Sequence, residues 1–113
     1  MSDVAQIYDE ADRLKEEGKL EEAVAKLHEA LAVDESYALA HSALSVLLQR
    51  LDKHEEAIQH AERVCQLEPS DPFSFTAMSV TYQRAFAGTN NMEYIRLAEE
   101  AMERSRMLSQ GMA

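Results

Sequence analysis

The chain has 113 residues, of which 46% are hydrophobic, and 21 Asp and Glu against 11 Lys and Arg leave it at a formal charge of −10. A chain of this size builds one core and buries roughly two-thirds of its unfolded surface, which excludes two independent domains. Its acidity argues against nucleic acid, whose phosphates need clustered Lys and Arg, and against anionic membranes, which need a basic amphipathic face. With Gly at 3 and Pro at 2, breaks are few and the apolar spacing is helical from end to end. The first helix is expected over about 3–17 on Val4, Ile7, Ala11 and Leu14, and Gly18 separates it from a second over 20–33 on Leu20, Ala23, Val24, Leu27, Ala30 and Leu31. Ser36 is the expected N-cap of a third helix over 37–51. A fourth over 54–67 is stopped by Pro69, and Asp71 with Pro72 supplies a cap and a first-turn proline to a fifth over 72–87. Gly88-Thr89-Asn90-Asn91 reads as a turn, with Asn91 capping a sixth helix over 92–109, and Met107 and Met112 read as part of a frayed tail.

These elements repeat. Lys19-Leu20-Glu21-Glu22-Ala23-Val24 recurs as Lys53-His54-Glu55-Glu56-Ala57-Ile58, and Ala43-Leu44-Ser45-Val46-Leu47-Leu48-Gln49-Arg50 recurs as Ala77-Met78-Ser79-Val80-Thr81-Tyr82-Gln83-Arg84. The two anchors lie on different helices and agree on a period of 34, the signature of stacked helix pairs. Glu99-Glu100-Ala101-Met102 echoes the first anchor with a connection ten residues longer; setting Ala98 rather than Ala101 against Ala57 lowers the excess to seven.

On these residues the chain resembles the tetratricopeptide repeat family over nearly its whole length. Ala11, Ser45 and Ser79 fit the family's small residue on the first helix of each pair, Ala23 and Ala57 fit the one on the second, and Leu67-Glu68-Pro69-Ser70 fits the closing turn. Glu35 departs from it, because proline is usual there. The resemblance implies an all-α fold, a right-handed superhelix of three antiparallel helix pairs, in one domain over 1–113 with repeats at about 4–37, 38–71 and 72–109. The outer side of the sixth helix, with Glu93, Arg96, Glu99, Glu100 and Glu103, is expected to close the stack in solvent.

Catalytic chemistry finds little footing. Cys65 is the lone cysteine, so no internal disulfide can form, and it falls in the same column as Leu31 on an apolar stripe, the place of a packed thiol. His28, His41, His54 and His60 lack metal-ligand spacing; His41 reads as a packed imidazole and His60 as a surface partner of Glu56. There is no glycine-rich phosphate loop. The expectation is a chain that is not an enzyme and carries no cofactor. It has no basic or apolar leader at Met1-Ser2-Asp3-Val4 and no apolar run of membrane-spanning length, so a cytoplasmic location is expected.

The resemblance directs attention to the concave face formed by the first helix of each pair. The expected partner-binding residues are Tyr8, Leu39, Val46, Gln49, Arg50, Phe73, Val80, Gln83 and Arg84, with Leu39, Val46, Phe73 and Val80 as an apolar strip for a helix or peptide of a protein partner. Packing between neighbouring helices, including a Glu16–Arg50 pair, and a homo-oligomer using the same surface are the alternatives. The family's chaperone-carboxylate clamp has Lys and Asn on the first helix, Asn on the third, and Lys and Arg on the fifth, where this chain has Tyr8 and Asp12, Ser42 or Ala43, and Phe73 and Ala77, so that specialisation is not expected.

Overall fold

In the computed structural model, which describes residues 3–111, six helices account for nearly all of the chain. They are α1 (Val4–Glu16), α2 (Leu20–Val33), α3 (Ala38–Arg50), α4 (His54–Leu67), α5 (Pro72–Thr89) and α6 (Glu93–Ser109), and there is no strand among the described residues. Met112, assigned above to the tail, lies outside the described residues, as do Met1 and Ser2. The helices pack as α1 on α2, α3 on α4 and α5 on α6, and the pairs stack through α2 on α3, α4 on α5 and α3 on α5. The result is an α–α solenoid of three antiparallel pairs, a slab of 42 × 32 × 20 Å.

Small residues set the spacing within pairs. Ala11, Ala23 and Ala57 are buried, as are Ser45 and Ser79, so paired backbones approach where these side chains meet. Around them Leu27, Leu44, Leu47 and Leu48 are fully enclosed, each contributing about 1.5–3 kcal/mol of transfer free energy.

The helix ends follow local chemistry, with three differences from the sequence expectations. The start of α1 is a capping box, in which Asp3 Oδ1 accepts from the Gln6 amide at 2.9 Å, and Asp71 caps α5 by accepting from the Phe73 amide. Ser36, however, is not the cap of α3: its amide and hydroxyl both donate to Asp34 Oδ1, which holds Ser36 in the preceding turn and moves the N-cap one residue on, to Tyr37. At the turns, Gly18 is left-handed with φ 81°, and Asp52, 34 residues on, adopts the same region with φ 62°. Gly88 and Thr89 belong to α5 instead of to a turn; the left-handed residue there is Asn90, at φ 61°. Asn91 still serves the sixth helix, accepting from the Glu93 amide at 3.1 Å, although the helix proper begins after Met92.

The irregular third repeat has a simple geometry. Ser79 Oγ donates to the Ala98 carbonyl at 2.8 Å, which puts Ala98 at the crossing and makes it the counterpart of Ala57. The excess is therefore seven residues: α5 continues five past Arg84 to Thr89, and α6 begins two before the position matching the start of α4. Both α3–α4 and α5–α6 are joined by three residues. The insertion is extra helix, and its overhang lays Gly88 against the imidazole of His54.

Candidate partner-binding groove

Between α3 and α5, floored by Ala61 and Val64 of α4, runs a groove of about 600 Å³. On α3 the core takes Ala40, His41, Leu44, Ser45, Leu47 and Leu48. Leu39 and Val46 fall on the face the core leaves over and are 54% and 53% exposed. The 34-residue period repeats the arrangement on α5, where Phe73 is 79% exposed and Val80 37%. All four line the groove. They are apolar side chains standing in solvent on a rigid wall, which isolated packing does not account for.

The two walls are locked together by a buried polar chain. Thr81 Oγ1 donates to the Ala77 carbonyl at 3.0 Å, so it accepts from Gln49 Nε2 at 3.0 Å and from the Ser45 hydroxyl at 3.3 Å. Gln49 thus lines the groove with its amide already engaged in joining α3 to α5. Gln83 makes the matching local bond, Nε2 to Ser79 Oγ at 3.2 Å, but it faces a second depression between α5 and α6 and not the groove. Tyr8 does not line the groove either: its ring meets Tyr37 edge-on at 5.9 Å, and burial, with Asp12 next, raises its phenol pKa. The first repeat contributes no residue to the lining.

Charge in the groove is uneven. Glu68 and Asp71 lie at the end where α5 starts, beside Leu39 and Phe73, and Arg50 and Arg84 line it farther along the same two helices. Arg13, Arg63, Arg96 and Arg106 pair with Glu17, Glu35, Glu93 and Glu103, and Arg104 lies over the Phe75 ring. Among the described residues, Arg50 and Arg84 alone of the seven arginines have neither a carboxylate nor a ring as partner, and no Glu16–Arg50 pair forms.

A cluster of rings that single-helix spacing could not reveal sits where α2, α3 and α4 meet. His41 Nε2 donates to the Glu35 carbonyl at 2.8 Å, so its Nδ1 is free to accept from His60 Nδ1 at 2.9 Å. The His28 ring lies 5.8 Å from that of His60. His60 is consequently no surface partner of Glu56: burial, then His41 and His28, push its pKa down to about 4. Glu35, the departure from the family's proline, ties this turn to α4 through two bonds from the Arg63 guanidinium, at 2.6 and 2.8 Å, and Arg63 holds its carboxyl below the usual range. The rings are tilted against one another, at 59° for His28–His60 and 35° for His41–His60, and no group of three or more metal-ligating side chains converges among the described residues. Cys65 is buried, its thiol donates to the Ser74 carbonyl at 3.4 Å, and burial, with Glu62 and Asp71, pushes its pKa up to about 11. A thiol so protonated is a poor nucleophile at neutral pH.

Residues 11–52 match the family model described as TPR repeat. A solved structure described as the second TPR of Spaghetti (RPAP3) bound to HSP90 peptide SRMEEVD superposes with a TM-score of 0.76 at 21% identity, covering 95% of this chain and 93% of that one. No curated protein sequence matches the chain. The matched segment runs from the crossing residue of α1 to the left-handed turn before α4, and the three helix pairs together have the tetratricopeptide fold.

Proposed function

We propose that this tetratricopeptide chain is a non-enzymatic interaction module, an adaptor or scaffold that holds a helix or peptide of a partner protein in the groove between α3 and α5. The observation that carries the reading is the exposed apolar strip of Leu39, Val46, Phe73 and Val80, set on two helices that a buried hydrogen-bond chain fixes in place. A preformed groove of this kind loses little entropy on binding, and aromatic and aliphatic anchors supply most of the affinity. The structural neighbour's peptide supports a peptide as occupant; its identity is not carried over, because the clamp positions of this chain hold Tyr8, Asp12, Phe73 and Ala77. A cytoplasmic setting is part of the proposal, supported by a single, unpaired cysteine; no helix among the described residues is long and apolar enough to cross a membrane.

The same strip is also the surface through which a homo-oligomer would form, and light scattering at micromolar concentration separates the two. The adaptor reading expects a monomer of 12.7 kDa. A stable dimer that Phe73→Ala dissociates would replace the adaptor with a self-assembling protein.

A further inference from the structure

The geometry points to an acidic amphipathic segment as the occupant of the groove, lying with its carboxylates over Arg50 and Arg84 and its apolar side chains on Leu39, Val46, Phe73 and Val80. The inference rests on the groove reading above and adds to it the charge of the partner and the direction in which it lies.

Three observations carry it. First, in a chain with 21 acids, four of the seven arginines have found carboxylates, whereas the two that line the groove have not, although nothing buries them. Their guanidinium forks are free to take a carboxylate with two parallel bonds. Second, they stand 34 residues apart at matching positions of α3 and α5, and both line the same groove. Third, the opposite end holds Glu68 and Asp71. A segment with its acids at that end meets repulsion, and one reversed sets its acids on the arginines and away from Glu68 and Asp71, which fixes its direction.

The spacing sets the length. Leu39 and Arg50 are separated by about three helical turns, roughly 16 Å at ~1.5 Å per residue. An extended segment spans that with about five residues at ~3.3 Å each. The partner therefore carries one or two carboxylates about five residues, if extended, or three turns, if helical, from the side chain that seats beside Phe73. The overall charge of −10 opposes an acidic ligand at a distance. At ordinary salt that field is screened beyond ~8–10 Å, so the two arginines in contact decide the outcome.

The test uses the whole chain and a random twelve-residue peptide library displayed on phage. Enriched peptides are synthesised and their affinities measured by fluorescence polarisation against the wild type, against Phe73→Ala with Val46→Ala, and against Arg50→Glu with Arg84→Glu; thermal melts establish that each variant is folded. The expected result is enrichment of peptides with Asp or Glu to one side of an apolar pair. Their affinity should drop about tenfold or more on the double arginine reversal and weaken as salt is raised, and exchanging the peptide acids for Lys should restore binding to the reversed protein. Peptides that need Phe73 and Val46 but ignore the arginine reversal, or enrichment of basic peptides at the groove, overturn the acidic partner and leave the groove reading standing. Failure to enrich any peptide, or binding indifferent to Phe73 and Val46, overturns both.

Discussion

At the scale of single residues, the turns show how the same backbone need is met by different side chains. Gly18 and Asp52 occupy one column of the repeat and both are left-handed, a region glycine enters freely and an aspartate at some cost. Asp52→Gly should therefore raise the melting temperature, by an amount equivalent to about 0.5–1 kcal/mol, in a thermal scan by circular dichroism. Gly88 presents the opposite case. It sits inside α5, where Ala is ordinarily better by ~1 kcal/mol. A Cβ there would collide with His54 Nε2, and the His54 side chain is only 10% exposed, so the ring has little room to yield. Gly88→Ala is expected to destabilise by about 1–3 kcal/mol, and pairing it with His54→Ala to recover most of the Gly88→Ala loss relative to His54→Ala alone. A Gly88→Ala protein that melts higher than the wild type would show that the imidazole swings aside freely. The sequence gives Gly88 the look of a turn residue, since glycine beside Thr-Asn-Asn is ordinary turn chemistry. Only the overhang of α5 across the start of α4 reveals that glycine is needed for close approach.

At the scale of helices, the junction of α2, α3 and α4 depends on a neutral His60 ring. His60 has its pKa depressed to about 4 in the fold, against 6.5 as the reference. Between those values the unfolded chain binds a proton that the folded one refuses, so stability is present above pH 6.5 and is lost as pH falls toward 4. The contribution is on the order of 1 kcal/mol once solvent screening of a half-buried ring is allowed for. Urea melts at pH 7, 6 and 5, all above the ordinary carboxylate range, should show the wild type weakening stepwise, and His60→Gln should be flatter. Equal pH dependence in both proteins would remove His60 as the cause. The two anchors of the 34-residue period made the helix pairs and their crossing residues legible, because Ala11, Ser45 and Ala57 recur in fixed columns and their smallness has one physical use. The histidine cluster was not legible, since His28, His41 and His60 come from three helices and share no column. The only sign was His41 itself, which occupies the column of Phe75. The seven-residue insertion was visible as a number, and its form as added helix waited on the Ser79–Ala98 bond.

Across the whole molecule, each pair leans mainly on its neighbours, and the groove belongs to the second and third pairs alone. The 34-residue period, together with the family resemblance that pointed to the concave face, placed Leu39, Val46, Phe73 and Val80 on one strip. It could not separate Gln49, whose amide joins α3 to α5, from Gln83, which faces the other side, or see Tyr8 held against Tyr37. The division between wall and core gives the binding reading its sharpest consequence. Phe73 is 79% exposed, so Phe73→Ala should change unfolding free energy by no more than about 0.5 kcal/mol. Leu44, fully buried, should cost about 2–5 kcal/mol when cut to Ala. For a partner held in the groove the order reverses: loss of an aromatic anchor is worth ~2 kcal/mol, roughly thirtyfold in affinity. Arg84→Ala, on an exposed rim, should cost about 1 kcal/mol or less and act chiefly on association rate and salt dependence. Affinity and melting temperature measured on the same three variants decide between wall and packing. If Phe73→Ala lowers the melting temperature while the folded fraction binds as tightly as the wild type, Phe73 is a packing residue and the groove loses its main anchor.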